Sequence, residues 1–175
     1  MLREVALMMS AALNHPIHGV VAILPTIPRL PNDPDPLGRD GRLLVVNEYE
    51  NETIAKDEDL SIIPALVVVT DGAADVAGES GRGQVGETIR VTVLLYDRAD
   101  NLLWAKATGA IILRAVRKCL NRYTSRVPQD ERTLNQIRIL GISRVIEARY
   151  PDEHRGKATL TGGLQATIRA FDLDP

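Results

Sequence analysis

The chain is poor in the residues that usually announce chemistry. It carries one cysteine, one tryptophan, one phenylalanine and three histidines in 175 residues. A single thiol, Cys119, excludes an internal disulfide framework and a multi-cysteine zinc site. It fits a reducing cytoplasm. Aromatics amount to only 3%, so the core has to be built from Ile, Leu, Val and Ala. No run of 18 apolar residues occurs, which excludes a membrane-spanning helix. The opening MLREVALMMSAALNHP has one Arg and one Glu, a short apolar run and no typical cleavage site. It reads as an amphipathic helix rather than a secretory signal. The net charge of −2 gives no global attraction to nucleic acid or to a membrane surface.

What is present describes an ordinary globular domain. Apolar residues make up 45% and charged residues 25% of the chain, and 175 residues suffice for one core without staples. Residues 1–175 therefore read as a single domain, with a Pro-rich, acidic insertion at about 15–59.

The periodicities place the elements. Leu2, Val5, Ala6, Met9, Ala12 and Leu13 recur at helical steps, and Pro16 ends that helix. PTIPRLPNDPDPLGRDG is too rich in proline for a helix or an interior strand and reads as an extended, solvated arm. Its flanks, GVVAIL and RLLVVNEY, read as strands of a hairpin-like excursion. LSIIPALVVVT is a buried strand ending at DG. In ETIRVTVLLYDR, Ile89, Val91, Val93 and Leu95 share one face. A long helix follows over about Asn101 to Arg122, with Trp104, Ile111, Ala115 and Cys119 in one stripe beside Ile112, Val116 and Leu120 on its apolar side. QIRILGISRVIEARY resumes as a strand whose parity slips at Leu140 and Gly141, which predicts a bulge. ATLTGGLQATIRAF is the last strand, antiparallel to the one before it. The order predicts an α+β fold: a mostly antiparallel sheet of about four strands, two helices packed on one face, and a long arm or hairpin insertion.

The candidate sites are few. VAGESGRGQVGETIRVTV holds Gly78, Gly81, Gly83 and Gly86, but it runs from strand to strand and no lysine follows. A phosphate cradle needs a helix N-terminus after the loop, so this loop reads as a glycine-rich hairpin turn. His15 and His18 flank Pro16 and would need distant carboxylates to hold a metal. His154 lies in a polar loop. Cys119 sits on an apolar helix face, where a thiol is structural. Asp57, Glu58 and Asp59 read as a solvated charge run. No catalytic, cofactor-binding or metal residue is assigned.

Charge is the informative feature. Residues 31–60 hold nine acids and three bases, whereas residues 101–150 hold ten bases and three acids. These neutralise each other within one subunit, or they match between subunits of an assembly. The assembly reading pairs Glu48, Glu50 and Glu52 with Arg114, Arg117, Lys118 and Arg122 of a neighbour.

The pattern resembles the tail terminator proteins of long-tailed bacteriophages, and related tail-completion or neck proteins. The likeness rests on LREVALMMSAALN, IIPALVVVT, ETIRVTVLLYDR, NLLWAKATGAIILRAVRKCLNR, QIRILGISRVIEARY and KATLTGGLQATIRAF, covering about residues 1–14 and 60–173. It is a pattern of elements rather than a signature motif, and the excursion from His15 to Asp59 is longer than the family leads one to expect. The resemblance implies a homo-oligomer, a hexameric ring that caps the tail tube and joins it to the head connector, in the virion, after assembly in the host cytoplasm. Its partners would be the tail tube protein and the head-tail connector protein, with DNA able to pass through the ring without sequence-specific contact. It implies no catalysis and no cofactor. Two alternatives stand beside it: another phage ring component, such as a head-closure or tail tube protein, and a small cytoplasmic ligand-binding protein or enzyme.

Overall fold

The computed structural model describes residues 2–37, 41–49, 64–75, 86–97, 102–125, 137–146 and 159–171. Helix α1, Leu2–Leu13, buries the face that its spacing predicts: Val5, Ala6, Met9, Ala12 and Leu13. Ser10 is buried too, and its Oγ donates back to the Leu7 carbonyl at 3.0 Å. Beyond α1, His15 organises the turn around Pro16. Its Nδ1 accepts hydrogen bonds from the Ile17 and His18 amides at 3.2 and 3.1 Å. Gly19 follows because the backbones crowd there. A Cβ would stand 2.4 Å from the His15 carbonyl oxygen and 2.6 Å from that of Leu13.

The GVVAIL segment is not a strand. Val20–Ile23 forms a short helix, α2, and Leu24–Thr26 a 3-10 turn. Val20, Ile23 and Leu24 are buried while Val21 is exposed, which is helical spacing; a strand would alternate. A short apolar run fits both periods, and packing against α3 decides between them. The arm is also less solvated at its start than its prolines suggest. Ile27 is buried, and only from Pro28 does the chain become largely exposed.

Among the described residues the sheet has five strands: β1, Leu44–Asn47; β2, Ala65–Asp75; β3, Gly86–Asp97; β4, Ile137–Ile146; and β5, Thr159–Phe171. Their order is β1-β2-β3-β5-β4. Helix α3, Leu102–Ser125, connects β3 to β4. The expected pairings of β2 with β3 and of β4 with β5 are antiparallel, and β5 inserts between β3 and β4. The expectation of four strands in a mostly antiparallel sheet needs one correction. RLLVVNEY does form a strand, but it joins the main sheet as a fifth strand, parallel to β2. The sheet is mixed because the chain crosses back between Asn47 and Ala65 before pairing, and parallel neighbours require such a crossover. The bulge expected at Leu140 is present: register shifts between Ile139 and Gly141, leaving Leu140 exposed. A second bulge in β2 is set at Gly72, whose φ of +46° suits glycine.

Register builds the core column by column. Leu66 lies opposite Leu95, and Val68 opposite Val93 and then Leu164. Val91 lies opposite Ala166, which in turn lies opposite Ile142, and Ile89 opposite Ile168, which lies opposite Ile139. This one face receives both long helices. α1 packs over β1 and β2, and α3 over β3, β5 and β4. Ile112, Val116 and Leu120 of α3 are fully buried, each stabilising the fold by about 1.5–3 kcal/mol as an upper estimate.

Candidate interaction surface

The basic residues singled out in the sequence do come together. α3 has no Asp or Glu in its 24 residues. Its apolar stripe turns inward, so its charged positions are forced onto one outer face. Arg114, Arg117, Lys118 and Arg122 are exposed there, and Lys106 extends the same face two turns toward the N-terminus. Sequence reasoning missed Lys106 because Ala110 interrupts the band, although its i, i+8 spacing from Arg114 was available. Two of the cations are anchored on neutral acceptors. Lys118 Nζ donates to Thr26 Oγ1 at 2.8 Å, and an Arg117 guanidinium nitrogen to the Ile142 carbonyl at 3.5 Å. None of the five forms an ion pair among the described residues, where Arg29 and Asp35 at 3.9 Å make the only one. Like charges at i, i+4, as in Arg114–Lys118 and Lys118–Arg122, cost roughly 0.2–0.5 kcal/mol a pair.

The acidic partner residues behave differently. Glu48 follows β1, and its Oε1 accepts from the Thr70 amide at 2.8 Å and from Thr70 Oγ1 at 2.6 Å. The Tyr49 hydroxyl closes the group at 3.2 Å from Thr70 Oγ1. The carboxylate therefore ends the β1–β2 pairing by capping the β2 backbone. Glu50 and Glu52 lie outside the described residues, as do Gly78, Gly81 and Gly83, the run Asp57–Asp59, and His154. Next to Glu48, Asn47 is 1% exposed, and its Nδ2 donates to Ser10 Oγ at 3.2 Å. That bond ties the edge strand to α1. Nothing in the sequence marked this pair, since Asn47 looks like the end of an apolar run.

The two described histidines and the cysteine have structural surroundings. His15 and His18 stack with ring centroids 5.0 Å apart. Among the described residues no group of three or more His, Cys, Asp or Glu could hold a metal. Cys119 is fully buried, and its Sγ lies 3.4 Å from the His18 carbonyl oxygen and 3.7 Å from that of Ala12. Burial pushes its pKa up to about 12, only partly countered by Arg122, so at neutral pH it stays a thiol rather than a thiolate nucleophile. Among the described residues no helix is long and apolar enough to cross a membrane.

A scan of the chain against protein-family models and a search of curated proteins both find no match.

Proposed function

We propose that the chain is a structural protein of a bacteriophage virion that closes into a ring, caps the tail tube and joins it to the head connector. The observation that carries this reading is the order and pairing of the elements on which the resemblance rests. The first helix, the β2–β3 hairpin, α3 and the closing β4–β5 pair make one sheet with both long helices on a single face. Among the described residues β1 and β4 are the two edges of the sheet, and they give such a subunit separate surfaces for two neighbours, as head-to-tail closure requires.

The test is the mass of the particle by light scattering, with two-dimensional images, alone and with tail tube protein added. A closed ring, six-fold by the resemblance, is the expected result. A monomer under every condition, tube protein included, overturns the reading. A melting temperature that rises with a nucleotide or metal would instead favour a ligand-binding protein, because a ligand that binds only the folded state stabilises it.

A further inference from the structure

We infer that the outer face of α3 binds the phosphate backbone of double-stranded nucleic acid, without regard to base sequence. Lys106, Arg114, Arg117, Lys118 and Arg122 stand on one face of one helix, spread over about 24 Å at 1.5 Å per residue. The helix contains no carboxylate, and none of the five cations is neutralised by an ion pair among the described residues. Crowded like charges repel, and a polyanion relieves all of the contacts at once while releasing its own counterions.

The rest of the face selects the occupant. Among the described side chains of α3, those of residues 106–122, its other exposed positions are Ala110 and Asn121. Among these described positions a protein segment, including a neighbour's acidic stretch, would find no large apolar side chain to bury, and protein interfaces draw most of their affinity from such anchors. Among the described side chains of this face, a single strand would find no aromatic platform on which to stack its bases. Duplex phosphates need neither, only closely spaced donors that carry charge. The planar forks of Arg114, Arg117 and Arg122 match phosphate oxygens. Arg117 and Lys118 are held on neutral partners, the Ile142 carbonyl and the Thr26 hydroxyl, so they are positioned without losing charge.

The inference goes beyond the ring and stands without it, since a lone subunit carries the whole face. It is tested by fluorescence anisotropy of the full chain with a labelled random-sequence duplex of about 30 base pairs, in 50 to 200 mM salt. Binding is expected to weaken linearly in log salt with a slope of about −0.9 per phosphate contacted, or about −3 to −4.5 in all. The double variant Arg114→Gln/Arg122→Gln touches neither the Thr26 nor the Ile142 contact, so it folds. It is expected to bind roughly tenfold or more weakly at low salt, with a slope shallower by about two. An unchanged thermal melt of the variant shows that any loss of binding is local. Absent or salt-independent binding by the wild type overturns the proposal, as does a variant that binds like the wild type. Tighter binding to an oligo-dT strand overturns the duplex assignment. Displacement of the duplex by a peptide of residues 48–60 at lower concentration assigns the face to an acidic protein partner instead.

Discussion

β1 and β4 form the two edges of the sheet and are fastened in different ways. β4 spans ten residues, Ile137–Ile146, and is held mainly by apolar contact. Ile139 completes the column that runs through Ile168 to Ile89, and Ile142 packs against the same core beneath α3. Its bulges at Leu140 and Val145 twist it away from flat pairing, one way in which proteins guard an open edge. β1 has four residues, too few to hold an edge by burial alone. Polar side chains fasten it: Asn47 to Ser10 on α1, and Glu48 to Thr70 on β2. A long edge is secured by area and a short one by directed bonds. Area is forgiving of small changes, whereas directed bonds are lost whole.

The largest expected effect breaks the apolar side. Ile168→Ala removes the middle of the Ile89–Ile168–Ile139 column, where Ile168 is fully buried. It should destabilise the fold by about 2–5 kcal/mol, read as a lower urea midpoint with an unchanged slope. A loss below about 1 kcal/mol would mean that the column does not hold the β4 edge. On the polar side, Glu48→Ala should cost about 1.5–3 kcal/mol, as expected for bonds to a charged acceptor. Glu48→Gln keeps an acceptor oxygen for Thr70 and should lose less. If the two variants are equally stable, neither the acceptor oxygen nor the length of the side chain at this position contributes to the clamp.

Gly72→Ala forces a side chain onto a φ of +46° in the β2 bulge just past that clamp, for a cost of about 1–2 kcal/mol. Hydrogen exchange should localise the loosening to the β1–β2 edge and spare β4. The smallest effect is visible only at high pH. The Cys119 pKa is raised from 9.0 to about 12 in the folded state, so folding favours the protonated thiol. Its contribution is complete below pH 9 and is lost as the pH rises toward 12. Stability of the wild type should therefore fall faster with pH across that window than stability of Cys119→Ala. Parallel curves for the two proteins would remove the thiol from the account.

The same contrast separates what was legible in the sequence from what was not. Strict alternation from Ile89 to Leu95 and the parity slip at Leu140 specify β3 and the β4 bulge locally, because a pleated strand has a period of two. The apolar stripe of α3 likewise forces Arg114, Arg117, Lys118 and Arg122 onto one face, since a helix has only two sides. GVVAIL is too short to distinguish the periods, and the helix there reflects burial of Val20, Ile23 and Leu24.

The parallel pairing of β1, the Asn47–Ser10 bond and the capture of Glu48 by Thr70 join residues 37 and 22 positions apart in the chain for the two bonds. No local pattern encodes them. Sequence alone determined the long elements, their inward faces and the clustering of cations, because each follows from spacing within one segment. Tertiary structure alone decided which strand stands at the edge, and that one of the three acidic candidates already has a partner. Those outcomes depend on where distant segments meet once the apolar faces have been buried.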